Sequence, residues 1–291
     1  MTTIRIFDRP AGIAAFMLFG VGMFGAAGVS AEPSSELVKL INEYRASSPT
    51  CKGKQFEAGP LAPSESLASV KLEPGAPWQQ AMQQAGYQAG AAQAISLSGP
   101  SDAADAMTAI KQRYCEVLLD PQYAEIGVSR MDDGWQVIVA RPLVSESLRD
   151  WMDAGQAVLR HVNKARRSPR TCGDQSFEAA SPLTWDPRLG RAALEHSNYM
   201  AEAGVLSHAD AEGVQVDTRV DNQGYDYRYV GENVAVGQGS AEQVVAGWLH
   251  SAGHCANIMN PEFTDMGAAY VNEPETSIYW TQVFARPSAG D

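Results

Sequence analysis

"YVGENVAVGQGSAEQVVAGWLHSAGHCANIMNP", residues 229–261, sets a carboxylate, two histidines, a tryptophan and a cysteine among glycines. Its opening "YVGENVAV" has the apolar character of an extended, partly buried segment, and Glu232 lies inside it. A buried carboxylate needs a charged or hydrogen-bonding partner. A histidine from elsewhere in the chain is the expected one. The middle reads as a helix in which Ser240 can accept from the amide near Gln243, as in a capping box. Ala241, Val244, Val245 and Trp248 line its buried side, and Gly253 is the expected stop. His250 and His254 are four apart, the spacing of H-E-x-x-H zinc peptidases. Ser251 stands where the general-base glutamate of that motif would be, and Gly253 interrupts the helix. His250 therefore reads as a surface residue, and His254, beside Cys255, as inward-facing. "GQGSAE" at 237–242 is too poor in glycine for a phosphate loop and reads as a helix lead-in.

Working outward, a helix spans about 153 to 167, with Val158, Leu159, Val162 and Ala165 on one face before Ser168-Pro169 stops it. A second begins at Asp186-Pro187, a cap followed by a first-turn proline, and ends at Gly204. Leu189, Ala192, Ala193, His196 and Met200 form its stripe, so His196 is a hydrogen-bonded core histidine. His208 follows in the loop-like "LSHADAEG" and is free to face a cleft. From Gly267 onward "GAAYVNEPETSIYWTQVFARP" alternates like two strands joined by a turn at 272–277. Helices first and a hairpin last imply α+β, with helices packed on an antiparallel sheet. No G-x-S-x-G occurs, so a serine nucleophile of that type is unsupported.

The 291-residue chain opens with Arg5 and Arg9, then runs nearly uncharged from Ala11 to Val29 before "VSAEPSS". Residues 1–31 read as a signal peptide, which gives an exported chain, periplasmic or extracellular. No cysteine lies near the cleavage point, which argues against a lipoprotein. The remainder has no second apolar stretch of membrane length. Without Arg5, Arg9 and Asp8, the 22 basic and 34 acidic side chains fall to 20 and 33. Such an acidic surface repels phosphate backbones, and nucleic acid is excluded as a partner. Four cysteines in an exported chain point to two disulfides with three connectivities.

An internal repeat narrows those three. Asn42, Arg45, Ser47, Thr50, Cys51, Phe56, Glu57 and Ala58 recur 121 residues later, from Asn163 to Ala179. "CEVLLDPQYAEIGV" from Cys115 returns as "CANIMNPEFTDMGA" from Cys255, and "WQVIVARP" from Trp135 as "WTQVFARP" from Trp280. This reads as a duplication with copies at 35–147 and 150–291, the first about 18 residues shorter in its middle. Pairing within copies, Cys51 with Cys115 and Cys172 with Cys255, is the simplest arrangement.

"LSH", "GYDYRYVGENVAVGQGSAEQVVAGWLHSAGHCANIMNPEFTDMGAAY" and "YWTQVFARP" together resemble the CAP superfamily of cysteine-rich secretory, antigen 5 and pathogenesis-related 1 proteins, in its bacterial form. The resemblance covers residues 156 to about 287 and implies an α-β-α sandwich. It maps the family's cleft onto His208, Glu232 and His254, the candidates for catalysis or for a metal. The family's second glutamate falls on Ser251. Two imidazoles and one carboxylate admit a divalent cation such as Zn²⁺ without requiring one. The first copy has Tyr114 at the place of His254, "AAQAISLSG" at that of the Gly-Glu-Asn element, and no histidine before His161. It is expected to be a degenerate copy without the site. The function implied is a binding or interaction module for a lipid-like, cell-envelope or protein ligand, with a metal-dependent or His/Glu hydrolase of peptidase type as the alternative.

Overall fold

The computed structural model describes residues 33–72, 78–146, 148–273 and 277–288. The expected signal peptide at 1–31 and the tip of the 272–277 turn lie outside them. Elements follow the chain in two runs. The first is α1 (Pro33–Ala46), β1 (Thr50–Cys51), β2 (Lys54–Gln55), β3 (Ala62–Pro63), α2 (Glu65–Ala68), α3 (Trp78–Gln84), β4 (Ala89–Ser98), α4 (Ala103–Leu119), β5 (Glu125–Met131) and β6 (Gly134–Pro142). The second is α5 (Trp151–Arg166), β7 (Arg170–Cys172), β8 (Gln175–Phe177), β9 (Thr184–Trp185), α6 (Pro187–Ala203), α7 (Val216–Asn222), β10 (Tyr227–Val236), α8 (Ala241–Leu249), α9 (Ala252–Met259), β11 (Asp265–Asn272) and β12 (Ile278–Pro287).

Local chemistry sets most of these ends. Asp186 caps α6 by accepting from the Arg188 amide, and Gly204 closes it at a left-handed φ of 64°. Ser240 caps α8 by accepting from the Gln243 amide. Two expectations need correction. The helix after Ser240 ends at Leu249, not Gly253, because His250 and Ser251 leave helical geometry and α9 then starts with Gly253 in its first turn. The first helix of this half starts at Trp151, where Asp150 accepts from the Met152 and Asp153 amides.

Each half holds a four-stranded sheet. The second half runs β10-β12-β11-β9 and the first β4-β6-β5-β3; in each, the short outer strand is parallel to its neighbour and the other pairs are antiparallel. A register shift at Tyr227/Tyr229 in β10 has its like at Ala89/Ala91 in β4. Three residues beyond the shift, Glu232 stands opposite Val283, and Ala94 opposite Ile138. Alternating side chains divide the second sheet between two helical layers. Met266, Ala268, Trp280 and Phe284 pack with α5, α8 and α9, while Ala269, Val283 and Ala285 pack with α6 and α7. The result is an α-β-α sandwich. In the first half α1 and α4 cover Ile126, Val128, Val137 and Val139. On the other face α2 has four residues where α6 has 17, and a hollow of about 200 Å³ lined by Leu72, Trp78, Met82 and Ile138 remains there.

The repeated polar residues have matching tasks. Asn42 bonds both backbone groups of Leu61, at 2.9 and 2.8 Å, and Asn163 does the same for Leu183. Arg45 donates to the carbonyls of Gly59, Leu118, Asp120 and Tyr123. Arg166 donates to those of Ser181, Ile258, Asn260 and Phe263. Burial lowers both guanidiniums, to about 9 and about 10. Disulfides join Cys51 to Cys115 and Cys172 to Cys255.

The halves meet along 237–242, the lead-in to α8. Gln238, held within its own half by Trp280, which donates to its carbonyl at 2.8 Å, donates across to the Pro60 carbonyl at 2.9 Å, and the Ser145 amide donates to the Gly239 carbonyl at 2.9 Å. Asn42 reaches the His250 carbonyl at 3.2 Å, and Gln243 the buried Glu125 carboxylate at 3.1 Å. A Cβ on Gly239 would lie 2.4 Å from the Leu143 carbonyl oxygen, so only glycine admits this approach.

Candidate functional site

Glu232 lies on β10 and is 7% exposed. Its Oε1 is 2.8 Å from His208 Nδ1, and its Oε2 accepts from Arg219 Nη2 at 2.6 Å. His196 Nε2 is 3.9 Å from Oε1 and 2.6 Å from the Ser207 carbonyl. Burial pushes the Glu232 carboxyl up, but the bond to His208 and the charge of Arg219 outweigh it and hold it below the ordinary carboxylate range. Arg219, on α7, also bonds the carbonyls of Val214 and His208, which fixes the loop carrying His208.

His254 sits in the first turn of α9, with its Nδ1 2.8 Å from the Ser251 hydroxyl. Asn257 ties α9 to β10 through the Glu232 carbonyl, at 3.1 Å, and Asn233 Oδ1, at 2.9 Å. Asn233 donates to the His254 carbonyl at 3.2 Å. Burial, helped by His208, pushes the His254 imidazole down to about 3, so the ring is neutral at ordinary pH. His208, Glu232, Ser251 and His254 all line one cavity of about 340 Å³.

The structure thus gathers the three residues picked out in the sequence, but not as three ligands of one ion. Both Glu232 oxygens are taken by His208 and Arg219, and among the described residues no group of three His, Cys, Asp or Glu side chains is placed to hold a metal. With each Nδ1 engaged, the Nε2 atoms of His208 and His254 have no partner among the described residues. Ser251, the place in the sequence where a second glutamate is missing, lines the same cavity and bonds His254. A Ser251–His254 pair resembles a nucleophile and its base, but burial, which favours the neutral ring, weakens that imidazole as a base. The carboxylate that should orient that imidazole is bonded to His208 instead.

His250 is exposed and bonds the Ala246 carbonyl at 2.9 Å, apart from the cluster. His196 is buried in α6, as its stripe position implied. Sequence reasoning missed Arg219. The available signal was the buried carboxylate itself, whose partner was sought only among histidines; Arg219 lies 13 residues away on a helix too short to show periodicity.

Residues 159–284 match the model of the cysteine-rich secretory protein (CAP) family. The chain is 33% identical over 114 residues to the uncharacterised protein YkwD of Bacillus subtilis, covering 39% of this chain and 43% of that one. It is 29% identical over 104 residues to the uncharacterised membrane protein YlbC of the same organism, covering 36% and 29%. The chain therefore spans less than half the length of these curated relatives. Among solved structures, an extracellular protein containing an SCP domain from Bacillus anthracis aligns at 18% identity over 80% of each chain, with a TM-score of 0.42. Among the described residues no helix is long and apolar enough to cross a membrane. His208, Glu232 and His254, on the loop after α6, on β10 and on α9, all lie inside the segment 159–284 that matches the CAP family model, and they line one cavity.

Proposed function

We propose that the protein is an exported binding module whose cleft takes a polar group of a cell-envelope or lipid-like ligand, or a divalent cation such as Zn²⁺, on the Nε2 atoms of His208 and His254. The observation that carries this reading is that His208 and His254 line one cavity, with His254 paired to Ser251 rather than to a carboxylate; burial favours its neutral ring. Neutral imidazole is the form that ligates metals and accepts hydrogen bonds. The charge of Glu232 is balanced by Arg219, so its role is to orient His208. Titration calorimetry with Zn²⁺ should show affinity falling at least about tenfold in either His208→Ala or His254→Ala. Equal affinity in wild type and both variants sinks the cation form of this reading. The hydrolase alternative predicts turnover of peptide or ester substrates that disappears in the double histidine variant.

The same proposal covers the rest of the chain. Residues 1–31 are a signal peptide, and the N-terminal residue of protein recovered outside the cytoplasm should be Glu32. Residues 35–147 and 150–291 are tandem copies, of which the first has lost its own site. The shared element order, the matching register shifts and the paired tasks of Asn42 with Asn163 and Arg45 with Arg166 support this. Experimental coordinates in which β4 and β6 pair out of step with β10 and β12 would end it.

A further inference from the structure

The cavity holding His208 and His254 is not closed by the C-terminal half. Ser48, Glu57 and Gly59 of the first half line it too. Glu57 is exposed and has no hydrogen bond or ion pair among the described residues. Its backbone is nevertheless well anchored. Two residues on, the Gly59 carbonyl accepts from buried Arg45 at 2.6 Å, and the Pro60 carbonyl accepts from Gln238 across the seam at 2.9 Å. A Cβ on Gly59 would come 3.3 Å from the Val236 amide nitrogen, so this segment lies directly against the end of the strand that carries Glu232.

The charges around the cavity are unequal in what they can offer a ligand. Glu232 is neutralised by Arg219. Arg45 lines the cavity, but its donors are spent on four carbonyls, with Asp120 beside it. Glu57 is left as the carboxylate free to meet an incoming group, facing a space that also holds two imidazole nitrogens without partners. Acceptors and a negative charge around one cavity favour a cation, which a metal ion or an ammonium group supplies.

We propose that the two halves share one binding site, in which Glu57 of the first half draws a cationic ligand group to the imidazoles of His208 and His254. This rests on the imidazole reading above and adds the source of selectivity: the first half, without a site of its own, walls the site of the second. A metal ion and the ammonium end of an organic ligand both carry this charge, so two probes are used, Zn²⁺ and ethanolamine. Full-length wild type, Glu57→Gln, Glu57→Lys and His208→Ala are titrated with each, following affinity by calorimetry and the His208 and His254 ring signals by NMR. Glu57 is exposed, and unchanged thermal midpoints would verify that its variants fold.

For whichever probe wild type binds, Glu57→Gln should weaken affinity about three- to tenfold and Glu57→Lys further, with the difference shrinking as salt is added. If His208→Ala abolishes binding while both Glu57 variants bind like wild type, the shared site is wrong and the imidazole reading stands. If His208→Ala leaves binding unchanged, the imidazole reading itself fails. Binding of neither probe to wild type overturns the proposal.

Discussion

The charge on Glu232 survives burial because Arg219 and His208 face its two oxygens, so neither member of the Arg219–Glu232 pair can be removed cheaply. Replacing Arg219 by Met should cost about 3–5 kcal/mol in denaturant unfolding, because it strands a buried carboxylate. Glu232→Gln strands Arg219 in turn, and the double variant should lose less than the sum of the two. A double variant that loses the full sum would deny that the pair acts as a unit. Loss of ligand in Glu232→Gln alone therefore reports the fold as much as the cleft. At this scale the sequence was readable where chemistry and motif coincide, at His208, Glu232 and His254. It was unreadable at Arg219, which carries no motif and meets Glu232 through a tertiary contact that no spacing encodes.

Helices α5 and α6 were legible from an apolar stripe joined to end signals, as at Asp186, Pro187 and Gly204. α7 and α9 were not. Seven residues containing Val216 and Val220 cannot display a period, and α9 has no side-chain cap and is held by the Cys172–Cys255 bond and Asn257. Short elements of this kind are made by their surroundings. The glycines of β5 and β11 show the reverse dependence, where one residue type sets how closely layers stack. A Cβ on Gly267 would lie 2.0 Å from the Gly190 amide nitrogen of α6, and one on Gly127 would lie 2.3 Å from the Leu67 carbonyl carbon of α2. Gly267→Ala must push α6 off the sheet and should destabilise by about 1–3 kcal/mol or more. Because α6 leads into the His208 loop, it should also weaken binding at the cleft. An alanine variant with wild-type midpoint and affinity would show that the layers have slack.

For the whole molecule, the repeat announced two similar halves but not that they are fused along a tight seam. Glu125 of β5 sits in that seam, bonded to Tyr87 within its own half and to Gln243 of the other. Burial pushes its carboxyl up despite both bonds. The native state then holds this proton more tightly than the unfolded chain, so the group lowers stability as pH rises from the ordinary carboxylate value through the raised one. Glu125→Gln removes the charge and keeps one acceptor oxygen for Gln243, while its new amide N–H can donate to the Tyr87 hydroxyl, which accepts as well as donates. It should raise the melting temperature at pH 7, with the gain fading as pH falls below the ordinary carboxylate range. The seam also decides how the molecule melts. Four polar contacts and the Gly239 approach cross it, and the disulfides, spanning 64 and 83 residues, each close a loop within one half, for about 4–5 kcal/mol apiece in the chain-entropy model. Each half is thus internally stapled, while the seam alone couples them. Calorimetry of the oxidised protein should show one transition, because losing either half exposes the apolar and polar surface of the other. Gly239→Val, whose Cβ would start 2.4 Å from the Leu143 carbonyl, should open the seam and split the trace into two transitions with both disulfides intact. Two transitions already present in the wild type would mean that the halves are only tethered, and the cleft would then have no fixed wall on the Glu57 side.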